Sequence, residues 1–296
     1  MSADERMGTA LRERLAADLA VRGGRLALEH FHRAQVSWKP DGSMVTDADL
    51  AIQEDMAAGI ARAFPDDAVV GEEGASEANP GGALYSWVLD PVDGTNNFGR
   101  GLPGFSVSIG VLRNGQPFAG AVYDPVSRWL FTACVGRGAW LNDRPLRTRT
   151  APLGRGSLVS IRTPLEDDVP AFVEEWLRRY RLRRFGSTAL HLCYVALGAL
   201  DLVHDHRASL WDVAGAAPVL LEAGGVLTTT DGAPLFPATA AELAGAPIAF
   251  LAATRAATLR RCPRLPRSRS RVDCPPSSTG DFADGLVGAV VAIEAG

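Results

Sequence analysis

Cysteine is scarce in this chain and poorly placed for chemistry. The 296 residues contain four, Cys134, Cys193, Cys262 and Cys274, with no C-x-x-C pair among them. That scatter suits neither a zinc site nor a disulfide framework, and it predicts reduced, mostly buried thiols. The five histidines, His30, His32, His191, His204 and His206, have no mutual spacing that argues for ligation or catalysis. Long apolar runs are missing too: no window approaches the ~20 apolar residues of a membrane span. The N-terminal "MSADERMGTALRERLAADLAV" mixes both charge signs and lacks the uninterrupted apolar core of a signal peptide. A cytoplasmic protein without a membrane partner is expected. There is no excess of one charge sign, since 30 basic residues face 34 acidic ones for a formal net charge of -4. Without a basic field, nucleic acid is not the expected partner and a small ligand is. Internal repeats are absent.

What is present is an ordinary folding composition, 47% hydrophobic and 22% charged, in a chain long enough to bury a sizeable core. Leu11, Leu15, Leu19, Leu26 and Phe31 recur at helical spacing and predict a first helix over 8–33, with a kink at Gly23-Gly24. A second amphipathic helix is expected over 47–64, stopping before Pro65. The period then shortens. "AVVGEE" and "YSWVLD" are β-rich runs that each end in carboxylates, and 105–146 reads as an antiparallel meander with an Asn114-Gly115 hairpin signal. Helices near 166–180 and 188–200 and from 212 to about 223, alternating with the strands "RLRRF" and "DLVHD", suggest a layered mixed sheet. Beyond about 255 the chain turns rich in Arg, Pro and Ser and reads as an extension, with an apolar last stretch, "GLVGAVVAIEAG", suited to an edge strand or helix.

The informative residues are carboxylates at the ends of predicted elements: Glu72 and Glu73, Asp90 and Asp93, and Asp212. Strand ends along one edge of a layered α/β structure are where ligands bind, so the three groups are placed to converge. Gathered carboxylates repel, and burying them ionised is costly unless cations neutralise them. The donors are all oxygens, which favours a hard cation such as Mg2+ over zinc, and Asp90 is placed to bridge two ions. A calcium-binding EF-hand loop starting at Asp90 fails, because its third, fifth and twelfth positions are Val92, Gly94 and Gly101. A Gly94-Thr95 turn opening a short helix can offer backbone N–H groups to a phosphate. Thr95 and Glu72 together are placed to activate water, and phosphate hydrolysis follows from these parts.

"KPDGSMVTDAD" (39–49), "GEE" (71–73), "DPVDGTNNF" (90–98) and "WDVAGAAPVLLEAGG" (211–225) occur in this order. In order and spacing they resemble the inositol monophosphatase family over roughly residues 8–254. The resemblance implies an α/β/α/β/α layered sandwich of the sugar-phosphatase type, lithium-sensitive Mg2+-dependent hydrolysis of a phosphomonoester, and a homodimer. Carried over by motif, Glu72, Asp90 and the Val92 carbonyl would hold one Mg2+, and Asp90, Asp93 and Asp212 a second. A third ion would sit near Glu72 with Asp49 in its outer shell. The catalytic set would be Glu72, Thr95 and Asp49, with Thr95 orienting the attacking water. Substrate contacts would come from Gly94, Thr95, Gly186, Ser187, Thr188 and Asp205.

The expected substrate is a small sugar or polyol phosphate, inositol 1-phosphate first. Asp205 stands where inositol-hydrolysing members commonly carry Glu, and His206 and Arg207 replace the small residues usual beside it, which keeps bisphosphates open. The alternatives are a fructose-1,6-bisphosphatase, a histidinol-phosphatase, a 3'(2'),5'-bisphosphate nucleotidase, or an inactive phosphate-binding regulator. The phosphatase domain is expected over 1–254, with lobes of about 1–150 and 151–254 and an extension over 255–296.

Overall fold

The computed structural model describes residues 3–74, 83–165, 170–243, 245–255 and 257. The expectations for the apolar last stretch and nearly all of the extension lie outside them. The chain opens with α1 (Ala3–His30), the hairpin β1 (Val36–Trp38) and β2 (Met44–Thr46), and α2 (Asp47–Ala63). Strands β3 (Ala68–Gly71) and β4 (Tyr85–Asp93), a short α3 (Thr95–Phe98), then β5 (Ser106–Arg113), β6 (Gln116–Asp124), β7 (Trp129–Cys134), β8 (Gly138–Leu141) and β9 (Arg144–Pro145) follow. These build a seven-stranded sheet in sequence order from β3 to β9. Only β3 and β4 pair in parallel; the rest is the expected meander, antiparallel throughout. Its first hairpin turns at Asn114 and Gly115, both with positive φ, as a two-residue type I′ turn requires.

The second half contains β10 (Leu158–Ile161), α4 (Ala171–Arg179), β11 (Arg181–Leu182), α5 (Thr188–Ala196), β12 (Leu202–Ala208), α6 (Leu210–Ala214), α7 (Ala216–Glu222), β13 (Val226–Thr229), α8 (Ala240–Leu243) and β14 (Ile248–Ala253). Its five-stranded sheet runs β11-β10-β12-β14-β13 and mixes parallel and antiparallel pairs.

Three apolar clusters stack these parts into layers. Leu19, Ile52, Met56 and Ile60 of α1 and α2 pack on Trp87, Ile109 and Ala121 of the first sheet. Leu190, Val195, Val219 and Leu220 of α5 and α7 fill the space between Val122 and Phe131 on one sheet and Val203 and Phe250 on the other. Val173 and Trp176 of α4 cover the outer face of the second sheet at Val159, Ile161 and Leu251. The order is helix, sheet, helix, sheet, helix, as the resemblance implied. Both faces of β4 and β5 are therefore buried, which is why "YSWVL" and "VSIGVL" read as nearly continuous apolar runs rather than as alternation.

Three local expectations are refined by the structure. Gly23-Gly24, where a kink is expected, lies inside α1, which runs unbroken through both residues. The glycines serve close approach: a Cβ on Gly24 would stand 2.7 Å from Tyr123 Cε1 and 3.2 Å from Pro125 Cβ. The helix expected from Asp212 begins earlier, after the N-cap Ser209, and is two pieces, α6 and α7, joined at Gly215. A Cβ there would lie 2.9 Å from the backbone N of Ile109, so the junction rests directly on β5. The helix expected near 166–180 is α4, Ala171–Arg179, while 166–169 lie outside the described residues.

Candidate metal centre

Parallel pairing of β3 and β4 brings two carboxylate groups to one sheet edge. Gly71 stands opposite Leu89, and the Glu72 N–H donates to the Leu89 carbonyl at 3.2 Å, so Glu72 leaves β3 beside Asp90. Asp90 and Asp93 are three apart, and in a regular strand they would point to opposite faces. Asp90 pairs with Ser108 and Asp93 with Ser106, so two residues of β4, Pro91 and Val92, stand against one of β5, Val107. That bulge contains Pro91, which a regular central strand would not tolerate, and it restores both aspartates to one side. Asp212 arrives from α6, whose Leu210 and Ala214 pack on Val88 and Leu112. Asp90, Asp93 and Asp212 each place one oxygen within 4.8 Å of the others.

The three are not satisfied alike. Asp93 accepts from the Ser187 hydroxyl, from the Thr188 amide at 3.1 Å and from the Ala189 amide at 2.7 Å, at the start of α5. Asp212 is the third residue of α6 and accepts the Ser209 amide at 2.8 Å in a capping box. Asp90, 1% exposed, has no protein donor on either oxygen; Glu72 is near enough to share a proton with it.

Burial and the neighbouring charges Glu72, Asp93 and Asp212 push the Asp90 carboxyl far above the ordinary carboxylate range. Burial raises Asp93 to about 6 against its three hydrogen bonds. It also raises Asp212 well above its usual value, with Asp93 adding to the effect. A proton or a cation is what this cluster takes up. The all-oxygen donor set and the two unpartnered oxygens of Asp90 fit a hard divalent ion.

Asp49 occupies the same role on α2 that Asp212 does on α6. Its Oδ2 accepts the Thr46 amide at 2.8 Å, its Oδ1 has no partner, and burial, the largest effect, raises its pKa to about 7. Asp49 is thus a helix-capping residue that also adds charge beside Asp90. Thr95 donates its hydroxyl to the Val92 carbonyl at 2.9 Å, leaving the second lone pair of that carbonyl available. Gly94, with φ 98°, provides the left-handed cap of α3. A side chain there would also meet the Gly104 carbonyl at 2.9 Å. Asn97 of the same motif reaches across 88 positions to the Phe185 carbonyl at 2.7 Å, and so anchors the loop that carries Gly186, Ser187 and Thr188. The structure uses Ser187 and Thr188 to hold Asp93, a task the motif comparison had not assigned to them.

Sequence reasoning overlooked three cationic residues here. Lys39, beside the β1–β2 hairpin, lies 2.8 Å from Glu72 and 2.6 Å from Glu73. Burial would lower its pKa, but the two glutamates outweigh that and raise it. Arg162 pairs with Asp205 at 3.4 Å, Arg184 reaches the Ile161 carbonyl beside it at 3.4 Å, and Thr188 links Asp205 to Asp93. Lys39 lay inside a quoted motif as the basic residue before the Pro-Asp-Gly turn, whereas nothing local marked the arginines.

A model of the inositol monophosphatase family matches residues 7–264. The chain belongs to the inositol monophosphatase family. Among curated relatives, it is 36% identical over 231 residues to a protein named Nus factor SuhB from Pseudomonas aeruginosa, covering 73% of this chain and 85% of the relative. It is 35% identical over 230 residues to inositol monophosphatase 1 of Solanum lycopersicum, covering 74% and 84%. Among solved structures, an IMPase from Thermotoga maritima aligns with a TM-score of 0.74 at 26% identity, over 96% of this chain and 98% of that one. The IMPase of Anabaena aligns with a TM-score of 0.71 at 28% identity, over 96% of both. Family membership and the layered family fold therefore agree with the motifs that pointed to them.

Proposed function

We propose that this family member is a Mg2+-dependent phosphomonoesterase that hydrolyses a small sugar or polyol phosphate by in-line attack of water. The observation that carries this reading is Asp90: a buried carboxylate with two unpartnered oxygens, set among Glu72, Asp93 and Asp212. Glu72, Asp90 and the Val92 carbonyl would hold one Mg2+, and Asp90, Asp93 and Asp212 another, with a third near Glu72 and Asp49. Such ions supply Lewis-acid chemistry, making a nucleophile available at neutral pH and neutralising charge on phosphoryl oxygens. The residues around them perform the positioning. Thr95, its hydroxyl proton committed to Val92, has lone pairs with which to orient water. The Gly94 and Thr95 amides, at the start of α3, would donate to the phosphate, and Asn97 anchors the loop at Phe185.

Phosphate release from inositol 1-phosphate, fructose 1,6-bisphosphate, histidinol phosphate and adenosine 3',5'-bisphosphate, with and without Mg2+, tests the reading. Turnover that requires Mg2+ and is inhibited by lithium is expected. No release from any of the four under saturating Mg2+ would overturn it. A second reading, a phosphate-binding regulator without turnover, draws on the name Nus factor SuhB borne by relatives at 36%, 34% and 32% identity. It predicts phosphate binding in that failed assay.

A further inference from the structure

Asp205, on β12 and 3% exposed, stands at the position expected to accept hydrogen bonds from the hydroxyls of a neutral sugar or polyol. Its oxygens are already occupied. Oδ1 accepts the Arg207 amide at 3.0 Å, Oδ2 accepts the Thr188 hydroxyl at 3.3 Å, and Arg162 Nη1 lies 3.4 Å from both. Drawing this carboxylate away from Arg162 would leave a buried charge unpaired, which costs more than a substrate hydroxyl returns.

One guanidinium, that of Arg162, meets that carboxylate, and a second, that of Arg184, stands beside the residue that precedes Arg162. Arg162 follows β10, and its side chain is 34% exposed. Arg184 sits on the exposed segment before Gly186, with Nη1 3.4 Å from the Ile161 carbonyl. It is near enough to Asp205, Arg162 and Asp93 for each charge to act on it. Arg162 is ion-paired with Asp205, whereas Arg184 has no ion pair among the described residues, so its charge is the one left over here. Thr188 fixes the distance of Asp205 from the carboxylate cluster, since its amide donates to Asp93 and its hydroxyl to Asp205. A neutral polyol offers nothing to a surplus guanidinium, whereas a phosphate or carboxylate forms charge-assisted, fork-shaped hydrogen bonds with it.

We propose that Arg162 and Arg184 form a second anion subsite beside Asp205, and that the leaving alcohol of the substrate carries a second anionic group, a phosphate or a carboxylate. The inference rests on the phosphatase reading and narrows its substrate class.

Matched pairs of phosphomonoesters test it in the full-length protein with Mg2+. Fructose 1,6-bisphosphate against fructose 1-phosphate is the phosphate arm; glycerate 2-phosphate against glycerol 2-phosphate is the carboxylate arm. In at least one arm kcat/KM is expected to be about tenfold or more higher for the compound with the second anion, by the usual worth of a charge-assisted hydrogen bond. Arg162→Gln and Arg184→Gln should each reduce that ratio by about tenfold, mainly through KM. Arg184→Gln removes an exposed side chain and remains informative if Arg162→Gln, which strands Asp205, folds poorly. Ratios near one in both arms, with glycerol 2-phosphate hydrolysed by the wild type, overturn the subsite and leave the phosphatase reading standing. A preference that neither variant reduces also overturns the assignment. No turnover of any compound overturns the phosphatase reading and this inference with it.

Discussion

At the scale of single residues, the carboxylates are held in a state that only a bound proton or cation makes comfortable. The burial that raises Asp93 to about 6 and Asp49 to about 7 lifts both above their ordinary unfolded values. The native protein then binds more protons than the unfolded chain between about pH 4 and these values, so stability falls as pH rises through that window. With divalent metal chelated, the melting temperature is expected to be lower at pH 7.5 than at pH 5.5, and Mg2+ should raise it more at pH 7.5. A chelated protein that melts higher at pH 7.5 would contradict this. Asp93→Asn removes one charge of the carboxylate cluster without removing core volume. It should lose about a hundredfold or more in kcat, as loss of an electrostatic stabiliser typically does, and lose most of its Mg2+-induced thermal shift while keeping its circular dichroism spectrum. Glu72, Asp90, Asp93 and Asp212 were legible because carboxylates ending apolar runs are conspicuous in any sequence. Lys39, Arg162 and Arg184 were not, because a cation matters here only by its distance from acids far along the chain.

Among the elements, the bulge in β4 and the glycines under α1 show how local sequence is redirected by its neighbours. Pro91 and Gly94 announced a turn, and the structure contains one, but the parity change that brings Asp90 and Asp93 together exists only in register with Ser106 and Ser108. Gly23-Gly24 looked like a kink in the first helix because glycine lowers helix propensity. Packing against Tyr123 and Pro125 overrides that weak preference. Gly24→Ala, favoured by about 1 kcal/mol on propensity, is therefore expected to lose about 1–3 kcal/mol to overpacking, read as a lower urea midpoint at unchanged slope. Arg12 makes a complementary test: it donates twice to buried Asp67, at 2.8 and 2.7 Å, and Trp87 Nε1 adds a third bond at 2.9 Å. Arg12→Met strands that carboxylate and should cost about 3–5 kcal/mol. A loss below about 1 kcal/mol would show that Trp87 alone satisfies Asp67.

For the whole molecule, the layers place every residue of the candidate site between Lys39 and Asp212, with β14 closing the second sheet at Ala253. A chain truncated after Ala257 is accordingly expected to keep the kcat/KM of the full-length protein, and a loss beyond about threefold would show that the extension supports the site. The homodimer implied by family resemblance predicts a scattering mass of about twice the 31.3 kDa chain. The sequence by itself determined the family, the carboxylate set, the meander and the two N-terminal helices, because these rest on short-range patterns: period, turn chemistry and motif spacing. Only the tertiary structure decided that Asp49 and Asp212 are both third residues of capping boxes, that Ser187 and Thr188 serve Asp93, and that Arg162 pairs with Asp205 with Arg184 close by. Those facts depend on distances between residues remote in the chain, and close packing sets such distances only once the sheets and helices have stacked.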